Sequence, residues 1–383
     1  MNLNEEILEF PEDFLGQTPS LSHRTKRILR GLRTFWRGRN AFFALVSWKI
    51  SGKRRPVRIS LLVTKKCNLR CFYCYALDEI TNPKILDASF EKITALIDEL
   101  YDSGCRWINL LGGEPLARND IEEIIDYIVK KGILCELTTN GYYIRKRISA
   151  LKKLDHLAIS LDGNKEANDR ARLDVRGKGS FEHIIKGLAY AAEEGLNIRI
   201  HATLNKRTMA PDSLNFLAAL CKKYGMTFNY SENGLPGIED LDPDYILAAD
   251  ETMNFYQQYD GLKKKGYPIV SSDVAVNYAT KWPLKDKTTI FKQDVKNVPK
   301  DSYFDCTLGR NQCFVTADGN VYPCSKRWGE GQNAYKIGFK AAWNNLENLD
   351  CVACKELGTI EQSLITAMQP RGFVNGIKNF VLR

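Results

Sequence analysis

Between residues 57 and 230 the chain alternates strand-patterned with helix-patterned runs, and this alternation restricts the fold more than any other feature. The strand runs are 57–64, 106–111, 133–138, 155–161, 197–204 and 226–230, and helical periods fill 89–102, 119–131, 143–153, 180–194 and 211–224. Such repeats build parallel sheets, because a parallel neighbour can be reached only by a crossover long enough to hold a helix. Gly104, Gly132, Gly195 and Gly225 fall just past four of the helices, where a left-handed residue ends the helix. The expected class is α/β, with functional loops at the carboxyl ends of the strands. Six units fall short of the eight of a closed barrel.

The loop after the first strand run carries Cys67, Cys71 and Cys74 in CNLRCFYC. Three thiolates on a four-iron cube leave one iron open, where chemistry can happen. Zinc sites favour paired C-x2-C units or added histidines, and the chain has only four His. The C-x3-C-x-Φ-C spacing, with Tyr73 at the aromatic position, resembles the radical S-adenosylmethionine (SAM) superfamily. The resemblance implies an open (β/α)6 partial TIM barrel over residues 57–235. It also implies a SAM-binding 4Fe-4S cluster and a 5'-deoxyadenosyl radical that takes a hydrogen atom from substrate.

Further motifs lie at successive strand ends in the order of that family. Gly112-Gly113-Glu114-Pro115 resembles GGEP, whose glycines let backbone approach the ligand and whose carboxylate suits the methionyl amine of SAM. Asn140 stands in a TNG segment. Ser160 and Asp162, in SLDG, correspond to residues near the SAM ribose. Arg172 takes the place of an arginine on the SAM carboxylate, although Asn168 stands where relatives commonly have His.

A second cysteine group comprises Cys306, Cys324, Cys351 and Cys354. Asp318-Gly319 between two apolar runs reads as a tight hairpin with Cys324 just past its second strand. Four thiolates complete a cube and leave no open iron, which suits electron transfer or structure. Gly319 to Cys324 matches the G-x4-C of SPASM/twitch extensions, so the resemblance implies a single auxiliary 4Fe-4S cluster in a small C-terminal domain. Zinc on the same four thiolates is the alternative. Cys313, in strand alternation with Val315, reads as core, as do Cys105, Cys135 and Cys221.

The net charge of +9 is uneven: residues 23–55 hold eleven Lys and Arg and no acid, residues 1–22 five acids and no base. On a helical wheel Ile28, Leu29, Leu32, Phe35 and Trp36 share one arc, and Lys26, Arg27, Arg30, Arg33 and Arg37 the opposite one. Either the apolar stripe packs on the barrel with the arginines solvated, or residues 24–48 touch an anionic membrane or lipid substrate. Nucleic acid is not an expected partner. No apolar run approaches the roughly 18 residues of a membrane span, and nothing resembles a secretory signal. A reducing cytoplasm, with peripheral membrane contact as an option, is the expected setting.

The expected division is a basic extension (1–56), the partial barrel (57–235), a helical linker or lid (236–300) and the auxiliary-cluster domain (301–383). Within the linker a helix is expected from Asp242 to Lys265, and an irregular stretch from Gly266 to Lys300. Strand ends five and six offer His201, Tyr230, Glu232 and Asn233 as catalytic candidates. The expected function is oxidation or bond formation on a small polar or lipid-linked metabolite, with a reductant such as flavodoxin or ferredoxin. A peptide-modifying maturase and a non-enzymatic iron-sulfur carrier or scaffold are the alternatives.

Overall fold

A computed structural model describes residues 21–232, 247–284, 287–329 and 331–380; the side chains of residues 21–30 lie outside it, as does Asn233. The chain opens with α1 (Leu21–Ser51), followed by β1 (Arg58–Leu62) and a loop holding β2 (Leu69–Cys71) and α2 (Leu77–Thr81). Then α3 (Phe90–Asp102), β3 (Trp107–Leu111), α4 (Ile121–Lys130), β4 (Leu134–Thr139), α5 (Ile144–Leu151) and β5 (His156–Ser160) alternate. A loop with α6 (Lys165–Ala171) and β6 (Arg172–Asp174) leads to α7 (Phe181–Glu193), β7 (Ile198–Leu204), α8 (Pro211–Tyr224) and β8 (Thr227–Glu232). The six expected strands thus exist as β1, β3, β4, β5, β7 and β8, paired in that order and all parallel. This is the sheet of a partial TIM barrel wrapped by helices.

Each strand is apolar on its outer face and polar on its inner face. Ile59 and Leu61, Ile108 and Leu110, and Leu157 and Ile159 enter the core beneath the helices. Arg58, Asn109, Glu136, Arg199, His201 and Asn229 line a central cavity. Because successive side chains alternate faces, one register sorts both sets at once.

The segment after β8 is more ordered than expected. It holds α9 (Ala249–Lys264), α10 (Asp273–Thr280) and β9 (Thr289–Phe291), where the sequence reading placed an irregular stretch from Gly266. Ser272 caps α10 by accepting from Ala275 N at 3.2 Å, a local signal that the reading passed over. The expected start of α9 at Asp242 lies outside the described residues.

The C-terminal part holds β10 (Gln312–Val315), β11 (Asn320–Tyr322), β12 (Gln332–Asn333), α11 (Ala334–Ile337), α12 (Phe339–Asn344), β13 (Cys351–Cys354), α13 (Leu357–Thr366) and α14 (Pro370–Phe380). The expected hairpin is present as β10–β11, with Gly319 at φ +92° in its turn. Yet it does not stand apart from the barrel. β10 pairs parallel with β1, Cys313 opposite Ile59, so the hairpin and β12 extend the main sheet to nine strands. β9, from the expected linker, pairs with β13. Across the side between β8 and β1, Gln362 of α13 accepts from Arg58 at 3.4 Å, and Asn375 of α14 donates to Glu361 at 2.8 Å.

The basic helix α1 forms, and of the two readings left open for it the one in which the apolar stripe packs on the barrel does not hold for the described residues. Arg33 and Arg37 face the barrel. Arg33 donates to the carbonyls of Lys152 and Leu154 at 3.0 Å, and Arg37 to that of Lys153 at 3.0 Å, so both serve the carboxyl end of α5. A cation is favoured there because the last carbonyls of a helix lack intrahelical donors. Arg37 also pairs with buried Asp155 at 3.0 Å. Small side chains complete the contact: Ala41 meets Trp107 and Leu134, and Ala44 meets Val57. Leu32, Phe35 and Trp36 are 55%, 60% and 61% exposed.

Candidate active site between the two cysteine groups

The cysteine loop is held from both sides at the strand ends. Thr64 Oγ1 and Lys65 N donate to Asp87 at 2.6 and 2.8 Å. The backbone of the β3 loop lies directly against it: Gly113 N donates to Thr64 O at 2.8 Å and Glu114 N to Lys66 O at 2.7 Å. A Cβ on Gly112 would sit 2.7 Å from Thr64 O, and one on Gly113 2.5 Å from Lys66 O. The glycines therefore serve close approach to the cysteine loop itself, and both also line the cavity.

Glu114 is buried and joins two strand ends. It accepts from Leu116 N at 3.0 Å, Thr139 Oγ1 at 2.7 Å and Asn140 N at 2.7 Å. Burial raises its carboxyl to about 7 against the pull of these donors. Three of its roughly four acceptor positions are thus filled by the chain, and one remains toward the cavity. Asn140 Nδ2 in turn donates to Asn68 Oδ1 at 2.9 Å, tying β4 to the cysteine loop.

Tyr73, Asp162 and Arg172 form one buried unit. The Tyr73 hydroxyl donates to Asp162. Arg172 donates to Asp162 through Nη2 at 2.9 Å and pairs with it through Nε at 2.9 Å. Its guanidinium lies 5.4 Å from the Tyr73 ring centroid and 4.0 Å from Cys71 Sγ. Burial works against the Arg172 charge, but Asp162, Tyr73 and Cys71 push its pKa up overall. Asn168, in the unexpected place, accepts from Asp162 N at 3.3 Å and donates to Ser180 Oγ at 3.2 Å, so it shapes the Asp162 loop. Ser160 and Arg172 line the cavity; Pro115 and Asp162 sit behind it.

All the cysteines are free thiols. Cys67, Cys71 and Cys74 line one wall of the cavity. Burial raises Cys67 and Cys74 to about 12, and the neighbouring sulfurs add to the rise. Cys306, Cys324, Cys351 and Cys354 gather likewise: burial, then the charges of the other three, push Cys306 up, while Cys324 reaches about 12 and Cys354 about 11. Sulfurs that repel one another as thiolates, kept together and unbridged, fit a polynuclear cation that would let them ionise jointly. Three such donors fit a cube with one open iron, and four a closed one. Cys313 is buried beside Cys105, apart from the four.

The cavity, about 320 Å³, is lined by Cys67, Cys71 and Cys74 and, of the second group, by Cys324. Its floor carries an ion group: Arg58 meets Glu136 at 3.3 Å, and nearby Arg199 has its pKa lowered by burial first, against the charge of Glu136 and with that of Arg58. Of the catalytic candidates, His201 lines the cavity and bonds Asn229 at 3.1 Å; burial and then Arg199 lower it to about 4, so it stays neutral and is no acid at neutral pH. Tyr230 is fully buried among Phe228, Phe255 and Tyr259, off the cavity, because adjacent strand residues face opposite sides. Glu232 does line it, near Cys324. Burial raises its carboxyl, with Lys355 and Lys326 pulling it down and Tyr256 beside it.

The sequence reading missed Arg58, Glu136, Arg199, Lys326 and Glu356. The first three were findable as polar residues at every second position of otherwise apolar strands. Lys326 and Glu356 each stand two residues from a cysteine, but nothing local shows that they converge on Glu232.

Residues 61–216 match the sequence profile of the Radical SAM superfamily. The chain is 33% identical over 287 residues to GTP 3',8-cyclase of Aquifex aeolicus, covering 72% of this chain and 83% of that protein. It is 28% identical over 308 residues to mycofactocin maturase MftC of Mycobacterium tuberculosis, covering 77% and 72%. The structure of Streptococcus suis SuiB bound to S-adenosylmethionine superposes with a TM-score of 0.56 at 17% identity, covering 80% of this chain and 67% of that one.

Proposed function

Because this chain belongs to the radical SAM superfamily and so is an enzyme that uses a 4Fe-4S cluster and SAM, we propose that it oxidises, or forms a bond in, a small polar or lipid-linked metabolite held between two clusters. The observation that carries this reading is the single cavity touching both cysteine groups. Cys67, Cys71 and Cys74 would hold the SAM-binding cluster at the cavity, and Cys306, Cys324, Cys351 and Cys354 an auxiliary one that Cys324 joins to it. The clusters supply and accept single electrons, delivered by a flavodoxin- or ferredoxin-like reductant.

The chain's own residues orient and exclude. The Tyr73–Asp162–Arg172 unit fixes the wall beside Cys71, and Asn140 and Glu114 fix the loop that faces SAM. Arg58, Glu136 and Arg199 give the floor a polar, charged character that suits a polar substrate better than an apolar one. Glu232, on the auxiliary side, accepts the proton that a substrate radical loses as its electron departs. Burial raises its pKa, against the pull of Lys355 and Lys326, and so makes it a stronger base than an exposed carboxylate.

A second reading, a peptide maturase, is favoured by the likeness to a relative named a maturase. One experiment separates them. Reconstituted protein with dithionite and SAM is given small-molecule or peptide fractions from cells grown in deuterated medium, and deuterium in 5'-deoxyadenosine is measured. Transfer from the small-molecule fraction supports the first reading; transfer from peptides alone overturns it. Absence of any SAM cleavage would count against the whole assignment.

A further inference from the structure

We infer that the outer face of α1, continued by α14, is a docking surface for an anionic lipid bilayer. Leu32, Trp36, Arg39, Phe43 and Ile50 recur at spacings of four, three, four and seven, and so form one stripe along the helix. It runs about 27 Å at 1.5 Å per residue. Trp36 and Phe43 are 61% and 60% exposed and Ile50 82%. Scattered apolar residues on a surface need no partner, whereas a continuous stripe of this length does. The internal face cannot absorb it, because Arg33, Thr34, Arg37 and Ala41 already occupy the barrel contact.

The stripe continues onto a second helix. Phe42 and Phe373 have ring centroids 5.8 Å apart, and Lys49 Nζ donates to Ala367 O at 3.0 Å, so α1 lies against the start of α14. That helix exposes Ile377 one turn on from Phe373, while Arg371, Val374 and Lys378 line a neighbouring groove with Lys263 and Asp273.

Charge selects the occupant. Neither helix contains an acid, and on α1 the exposed Arg39 and Lys49 flank the apolar residues, with Arg39 4.6 Å from the Trp36 ring centroid. A second copy of the chain meeting this face through a twofold axis would bring two basic surfaces together. An anionic bilayer satisfies both parts at once: phosphates meet the basic residues, and the rings enter the headgroup boundary, where Trp and Phe are favoured.

The placement has a consequence for access. α1 packs on Val57, Trp107, Leu134 and Asp155, which stand at or just before the amino ends of β1, β3, β4 and β5. The cysteine loop lies at the opposite ends. Docking therefore holds the enzyme on the surface with the cysteine loop turned away from it.

Sedimentation of the full chain with phosphatidylcholine vesicles, with or without about 30 mol% phosphatidylglycerol, tests this. The protein is expected to sediment with the anionic vesicles alone, and less as salt rises. Replacing Leu32, Phe35 and Trp36 together by Ser is expected to lower the bound fraction about tenfold or more, with SAM cleavage in solution unchanged. No binding to anionic vesicles overturns the inference, as does equal binding by the triple variant. A wild-type dimer abolished by the same substitutions overturns it in favour of self-contact. Equally tight, variant-sensitive binding to soluble polyglutamate overturns it in favour of an acidic protein.

Discussion

Glu232 ends β8 with Lys326, Lys355 and Tyr256 around it, at the auxiliary side of the cavity. Removing its charge while keeping its shape tests its part in the reaction. Glu232→Gln is expected to retain SAM cleavage but to lower turnover of the true substrate by about a hundredfold or more, the range for loss of a general base. Equal turnover, measured with the substrate found by deuterium transfer, would refute the assignment. His201 makes a different prediction. Its folded pKa of about 4 lies below the ordinary value of 6.5, so the unfolded chain binds its proton first. The stability it contributes is present above pH 6.5 and is lost as pH falls toward 4, an effect of at most ~3 kcal/mol. His156, also lowered by burial, acts in the same direction. Thermal unfolding of His201→Gln should show a shallower loss of stability across that window than the unsubstituted protein; an identical slope would rule the effect out.

At the scale of elements, the decisive contact is between the loops after β1 and β3. Gly113→Ala places a methyl group 2.5 Å from the Lys66 carbonyl, so one of the two loops must move. Overpacking of this kind costs about 1–3 kcal/mol. The first cluster should therefore incorporate poorly, read as a loss of iron and of SAM cleavage, while the protein still folds; full iron content would show that the loops can part freely. The strands themselves were legible because alternation and glycine stops are local. The six barrel strands fall within two residues of their expected bounds, and the β10–β11 hairpin follows its Asp318-Gly319 turn. The pairing of β10 with β1 was not legible. It joins residues more than 250 positions apart, and nothing in a four-residue strand says which edge it will extend. Which face of α1 is buried stayed open between two readings for a related reason. A helical wheel gives the angle between two faces, but which face is buried depends on the partner, here the orphan carbonyls at the end of α5.

For the whole molecule, the question is whether two metal centres share one substrate space. Replacing Cys306, Cys324, Cys351 and Cys354 by Ala should lower iron from about eight to about four per chain, by the stoichiometry of the cubes. SAM cleavage should survive with product formation lost, because the radical can still be made but its electron has no acceptor. Retention of near eight irons would refute a second cube.

The sequence by itself determined the fold class, the two cysteine groups and their order among the strand ends, since each is written in spacing and periodicity over a few residues. Only the tertiary structure decided that Asp162, Tyr73 and Arg172 satisfy one another, that Tyr230 belongs to the core and Glu232 to the cavity, and that an arginine-rich helix turns its rings outward. Those outcomes follow from which buried charges and carbonyls find partners across long stretches of chain. That balance of desolvation against pairing is struck only once the segments have met.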